Sequence, residues 1–214
     1  MFSGIVDRKG KVTAADPTAG GVCLALSAGD YWQDVATGAS IAIDGVCLTI
    51  TGVDGDTATF DIIAETLRRS TLGGLRVGSM VNLQKSLRAG DTIDGHFVQG
   101  HIDAVAEICR VEESPQESKW WFSLPPDVME YIIPKGSVTI DGISLTIADR
   151  EEEAFSVALI PTTLERTTIG QKKVGDRVNI ETDILARTIV QHLRNITGGS
   201  AAGTSDLRQR ARIT

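Results

Sequence analysis

Basic residues do not predominate in this chain of 214 residues: 21 Lys and Arg stand against 28 Asp and Glu, a net charge of −7. That balance argues against a nucleic-acid binder, which needs a basic face. The one basic cluster, Arg208, Arg210 and Arg212, reads as part of a solvated tail. Cysteine is scarce. Cys23, Cys47 and Cys109 are odd in number and form no CxxC spacing, which excludes a disulfide frame and points to a reducing compartment. Histidine is equally sparse. His96, His101 and His192 offer no third-ligand pattern, so no metal site is expected. No apolar run approaches the length of a membrane-spanning helix, and residues 1–7 do not resemble a signal peptide. The expectation is a soluble, cytoplasmic protein with no nucleic-acid or membrane partner.

What the sequence does contain is a duplication. Asp44-Gly45-Val46-Cys47-Leu48-Thr49-Ile50 returns 97 positions later as Asp141-Gly142-Ile143-Ser144-Leu145-Thr146-Ile147. The same shift carries Leu67–Gly73 onto Leu164–Gly170 and Val77–Leu83 onto Val174–Ile180. At a shift of 96, Gly4-Ile5-Val6-Asp7 matches Gly100-His101-Ile102-Asp103. Such a period is far too long for a solenoid and means two copies of one domain, at about 1–97 and 98–183, with no Pro/Ser-rich linker between them.

Strand signals dominate both copies. Residues 40–43 and 137–140 alternate polar and apolar, run into an Asp-Gly turn and continue into a strand ending Leu-Thr-Ile. Residues 59–63, 80–83, 155–159 and 177–180 read as further strands. Many short strands at close spacing predict a small closed barrel in each copy, with no exposed sheet edge. Thr66 and Thr163 are expected to cap short helical turns ending near Gly73 and Gly170. Asp183 should cap a final helix whose apolar stripe (Leu185, Ile189 and Leu193, flanked by Ile184 and Val190) packs either on its own barrel or on the same helix of other subunits. Residues 197–214 are expected to be disordered.

Positions where the copies differ in a reactive side chain are the candidates for chemistry. His101 answers Ile5, so the fold does not require an imidazole there; histidine is the side chain best suited to moving protons near neutral pH. Cys47 answers Ser144, each beside a threonine, Thr49 or Thr146. Asp183 answers Ser86, and Lys135 answers Gly38. The bland readings are a surface histidine, a small residue filling a small space, a helix cap and a solvated turn. No His–Asp constellation accompanies Cys47 or Ser144 in sequence, so covalent catalysis is not indicated. Together the differences suggest two similar pockets with unlike equipment: Cys47 in the first, and His101, Lys135, Ser144 and Asp183 in the second.

The chain resembles the riboflavin synthase family (alpha type, built from lumazine-binding repeats). The resemblance is carried by Met1-Phe2-Ser3-Gly4-Ile5-Val6, Gly45-Val46-Cys47-Leu48-Thr49, Gly95-His96-Phe97-Val98-Gln99-Gly100-His101, Asp141–Thr146 and Pro161–Thr168, and it spans residues 1–193. Asp44 and Asp94 depart from the family's usual Asn and Gly. The resemblance implies an all-β fold of two tandem six-stranded Greek-key β-barrels followed by a C-terminal α-helix, 184–196, that holds a homotrimer together. It implies dismutation of two 6,7-dimethyl-8-ribityllumazine molecules per active site to riboflavin and 5-amino-6-(ribitylamino)uracil. No metal or redox cofactor is implied, and an association with lumazine synthase is left open. The site would lie between the first barrel of one subunit and the second barrel of another.

Carried over residue by residue, the resemblance makes His101, Cys47, Ser144 and Asp183 catalytic. Substrate-binding positions in the first copy would be Phe2, Gly4, Ile5, Val6, Ser40, Leu48, Thr49, Ile62, Ile63, Ala64, Glu65, Thr66 and Leu67. Those in the second would be Gly100, Ile102, Lys135, Leu145, Thr146, Leu159, Ile160, Pro161, Thr162, Thr163 and Leu164. Phe2 would close the site, Thr49 and Thr146 would orient the rings, and Lys135 and Asp183 would contact the ribityl chain or assist proton movement. Related fluorescent proteins share the doubled barrel and bind without turnover; the presence of all four reactive side chains favours the enzyme.

Overall fold

A computed structural model describes residues 1–114 and 117–196. The expectation for 197–214 lies outside them. Each copy forms a closed six-stranded barrel. The first contains β1 (Arg8–Thr18), β2 (Gly21–Ser27), β3 (Ser40–Ile43), β4 (Val46–Asp54), β5 (Thr57–Ile63) and β6 (Met80–Lys85), in the order β1-β2-β5-β4-β3-β6. The second repeats that cyclic order with β7 (Ala104–Glu113), β8 (Ser118–Ser123), β9 (Ser137–Ile140), β10 (Ile143–Arg150), β11 (Ala154–Leu159) and β12 (Arg177–Thr182). Three consecutive hairpin strands, with the preceding one returning beside the last, make each barrel a Greek key.

The alternation that announced the strands also sorts their faces. Ala58, Phe60 and Ile62 of β5 are buried while Asp61 and Ile63 face out. Leu24, Leu26, Ile41, Ile43, Leu48, Ile50 and Leu83 complete the first core, and Phe122, Val138, Ile140, Ile147, Phe155, Val157 and Ile180 fill the second. The Asp-Gly turns take positive φ at both residues, +43° and +80° at Asp44-Gly45 and +45° and +79° at Asp141-Gly142, the conformation whose twist suits a two-residue hairpin.

These turns meet at the contact between the barrels. A Cβ on Gly45 would lie 2.7 Å from the Gly142 nitrogen. Around them runs a buried, two-fold pattern of hydrogen bonds. Asn82 N–H donates to Asp44 Oδ1 and its Nδ2 to the Asp141 carbonyl; Asn179 N–H donates to Asp141 Oδ1 and its Nδ2 to the Asp44 carbonyl. Lys172 breaks the symmetry, with Nζ 3.2 Å from Asp141 Oδ2.

Three short helices follow strands: α1 (Ala64–Arg69), α2 (Pro126–Met129) and α3 (Pro161–Arg166). Thr66 and Thr163 do not cap α1 and α3, contrary to expectation. Ile63 and Ile160 hold the cap positions, because Ala64 favours helix and the fixed φ of Pro161 suits a first turn. The carbonyls of Thr66 and Thr163 instead accept hydrogen bonds from the Ser70 and Thr167 hydroxyls at the helix ends. A last helix, α4, spans 184–196. Asp183 caps it as expected, accepting Leu185 N–H at 2.9 Å. Leu185, Ile189 and Leu193 are 57, 60 and 54% exposed, so the stripe does not pack on its own barrel.

Candidate functional site

The period of two in β4 and β10 places Cys47 and Thr49, and Ser144 and Thr146, on the outer faces of the barrels. The β4–β5 register, Ile50 opposite Phe60, directs the end of β5 and the start of α1 toward this face. Ile63 and Ala64 are exposed there and Thr66 is half-buried; Ile160, Pro161, Thr162 and Thr163 repeat the arrangement in the second barrel. Glu65 is tied to Arg68 and Arg69. Leu48, Ile62 and Leu159 are core residues, leaving only their main chain available to a ligand, while Leu67, Leu145 and Leu164 pack partly against the cores.

The segments before the barrels change partners. Residues 1–6 lead into the first barrel but lie on β10 of the second: Ser144 N–H donates to the Gly4 carbonyl at 2.7 Å, and Val6 packs on the second core. Residues 97–103 lead into the second barrel but lie on β4 of the first: Cys47 N–H donates to the Gly100 carbonyl at 2.9 Å, and Ile102 packs on the first core. The approach is close enough to require glycine. A Cβ on Gly4 would lie 2.6 Å from that of Ser144, and one on Gly100 would lie 2.5 Å from that of Cys47, both at positive φ. The two straps pair with each other through Phe2 and Val98.

This exchange corrects the division of side chains between the pockets. The His101 strap belongs with Cys47 and Thr49, whereas Gly4, Ile5 and Val6 belong with Ser144 and Thr146. Tandem alignment assigned each strap to the barrel it precedes, and the crossing is invisible at that level. Phe2 is fully buried against Ala42, Val98 and Cys47, so it backs the first half-site rather than closing over it.

Ser144 has a partner that sequence reasoning passed over. His96 Nδ1 lies 2.7 Å from Ser144 Oγ, and its Nε2 lies 3.1 Å from Thr139 Oγ1. Burial holds the imidazole below its ordinary pKa, opposed by the negative charge of Asp183. A neutral imidazole hydrogen-bonded to a hydroxyl is the arrangement of an activated nucleophile and its base. The partner is distant in sequence and near in space: His96 comes from the segment just before the second strap, and Asp183, which follows β12, acts on it through its charge. In sequence the only local mark is the glycine before His96; the structure gives its reason, since a Cβ on Gly95 would lie 2.1 Å from the Ser3 carbonyl and 2.8 Å from Ser144.

Lys135 sits at the edge of the second half-site, its N–H donating to the Ile147 carbonyl, two residues before Ser137, which pairs with Thr146. Its φ is +68° where the counterpart Gly38 has +89°. A lysine held in a conformation that favours glycine points to a role for its side chain. Ser40 is the Ser137 equivalent, opposite Thr49. Neither half-site is enclosed within one chain. A groove of about 820 Å³ between Ile5, Tyr31 and Asp94 is lined by neither Cys47 nor Ser144.

A family model described as the lumazine binding domain matches residues 3–85 and again 99–183. Riboflavin synthase of Actinobacillus pleuropneumoniae is 41% identical over 195 residues, covering 90% of this chain and 90% of the relative. That of Mycobacterium bovis is 43% identical over 204 residues, covering 91% and 99%. The chain belongs to the riboflavin synthase family. Among solved structures, LumP complexed with riboflavin superposes with a TM-score of 0.78 at 26% identity, covering 85% of this chain and 99% of LumP. LumP complexed with 6,7-dimethyl-8-(1'-D-ribityl) lumazine gives 0.77 at 24% identity, over the same shares, and supports the fold. Family membership accounts for the twofold repeat and for the pairing of two similar half-sites.

Proposed function

We infer that the protein is a riboflavin synthase, converting two molecules of 6,7-dimethyl-8-ribityllumazine into riboflavin and 5-amino-6-(ribitylamino)uracil by four-carbon transfer. The observation that carries this reading is the match to riboflavin synthases along nine-tenths of the chain, at 41–43% identity. Two lumazines contain all the atoms of both products, so the reaction needs no oxidant or other co-reactant. Much of the barrier lies in holding two bulky heterocycles in one mutual orientation, and proximity can supply about 7–11 kcal/mol.

The residues then divide the work. Thr49 and Thr146 offer hydroxyls on the outer barrel faces to orient the two rings. His101, beside Cys47, takes a proton from the acidic C7 methyl of one lumazine. Ser144, with His96 as its base, supplies or activates the nucleophile that adds at C7 of the other. Lys135 and Asp183 bind the ribityl chain or assist proton movement. A carrier that binds without reacting would not need a hydroxyl–imidazole pair. The direct test is incubation of the purified protein with the lumazine alone. One riboflavin per two lumazines consumed is expected; bound but unconsumed lumazine would establish the carrier instead.

The same reading makes the protein a homotrimer with each site shared between two subunits. Its support is that both half-sites lie open on outer faces and that Leu185, Ile189 and Ile196 of α4 are more than half exposed. Removing residues 184–214 should leave smaller particles with barrels intact by circular dichroism and no riboflavin formation; full activity in a sedimenting monomer would refute the shared site. Free thiols fit a reducing, cytoplasmic location, and no helix among the described residues is long and apolar enough to cross a membrane. Association with lumazine synthase, whose product is the substrate here, belongs to the same reading and is tested by co-sedimentation.

A further inference from the structure

A single buried side chain gathers three consecutive N–H groups of the strap that carries His101. The Glu181 carboxylate, 1% exposed at the end of β12, accepts three consecutive main-chain N–H groups: Gln99 at 2.7 Å on Oε1, and Gly100 at 2.8 Å and His101 at 3.1 Å on Oε2. The Gly100 carbonyl in turn accepts Cys47 N–H, so the same anchor sets the registration of both His101 and Cys47.

The first copy has a glutamine at the equivalent place. Among the described residues, Gln84 accepts Gly4 N–H alone, at 3.0 Å, and gives its amide to Ser3 Oγ at 2.8 Å. The difference is one of chemistry, not shape. A carboxylate has acceptors on both oxygens and no donor. A glutamine at 181 would turn an NH2 toward at least one strap N–H, leaving that donor unpaired.

We propose that Glu181 is a positioning residue for the reaction: its ionised carboxylate fixes the strap so that His101 and Cys47 meet the substrate in one arrangement. This rests on the synthase reading above. The groups around it are few. Arg187 of α4, paired with Asp103, favours the carboxylate. His101 and Asp103 lie on the strap itself. Across β9, Thr139 stands opposite Glu181 and is bonded to His96, which feels Asp183. Burial raises the Glu181 pKa, and the three N–H groups oppose that rise. Protonation would place an O–H donor against an N–H donor and release the strap.

The test is Glu181→Gln, assayed for riboflavin formation across pH. The expected result is a kcat at least about tenfold below wild type at neutral pH, with KM changed less than about threefold. The ratio should narrow toward unity in acid, where the wild-type carboxylate is itself protonated. Gln84→Glu, which acts on the other strap, should not rescue the variant. A kcat within threefold of wild type, or a ratio constant with pH, overturns the proposal. Should Glu181→Gln fail to fold, amide exchange on the wild-type protein decides: protection at Gln99, Gly100, His101 and Cys47 should be lost together on acidification, before global unfolding. Loss only with global unfolding would refute the anchor. A wild-type protein that makes no riboflavin would refute the synthase reading, while the exchange experiment would still report on Glu181.

Discussion

Replacing His96 with glutamine should lower riboflavin formation at least about 100-fold without unfolding the protein. Positioned acid–base groups commonly contribute that much. His96 joins Ser144 Oγ to Thr139 Oγ1, and the glutamine amide can keep hydrogen bonds in that space but cannot accept the Ser144 proton. Burial favours the neutral imidazole, the form that acts as a base, against the opposing charge of Asp183. If the hydroxyl and its base act as a unit, Ser144→Ala should cost a similar factor, and the double variant should be little worse than either alone. Steady-state turnover of the three variants, with thermal unfolding as a control, checks this. Additive losses would show that His96 and Ser144 act separately.

The second large effect concerns stability. Lys172→Met should destabilise the protein by about 3–5 kcal/mol at neutral pH, the usual cost of removing one partner from a buried ion pair. Lys172 Nζ is the cation at the contact between the barrels, where the Asp44 and Asp141 carboxyls are both buried. Desolvation raises both acids above their ordinary pKa, and for Asp44 the charge of Asp141 adds to it. The sign of the pH dependence follows. Acids with raised folded pKa values contribute stability that is fully present below the unfolded value near ~4 and is lost as pH rises through the folded values. The deficit of Lys172→Met should therefore be greatest at neutral pH and shrink as pH falls through the raised folded values toward about pH 4. Asp44→Asn in the same background should restore part of it, since an asparagine keeps the Oδ1 acceptor for Asn82 N–H and tolerates φ +43°. Denaturant midpoints between pH 4 and 8 measure both changes. A deficit that does not vary with pH would mean that Lys172 acts by packing alone.

The barrels were legible in the sequence because strand alternation and Asp-Gly turns are local signals, and the repeat supplied each of them twice. Cys47/Thr49 and Ser144/Thr146 were legible for the same reason: a period of two puts each pair on one face. Contacts made by long-range crossing were not. Nothing local in Gly100-His101 shows that its strap leaves its own barrel for β4, and His96 lies 48 residues from the Ser144 hydroxyl it meets. Comparing the copies also hid Glu181, because a Glu–Gln exchange looks conservative until the N–H groups it holds are counted. The helix starts lie three residues earlier than the threonines suggest, since threonine preference at caps yields to Ala64 and Pro161 at the ends of β5 and β11.

The exchanged straps build two unlike half-sites, one with Cys47, His101 and Thr49, the other with Ser144, His96, Asp183 and Thr146. A crystal structure with an unreactive lumazine analogue tests it most directly. One heterocycle is expected against β4 with His101 beside it, and a second against β10 with the His96–Ser144 pair beside it. His101 directed at the β10 ligand, or a ligand seated inside a barrel rather than on its outer face, would contradict it.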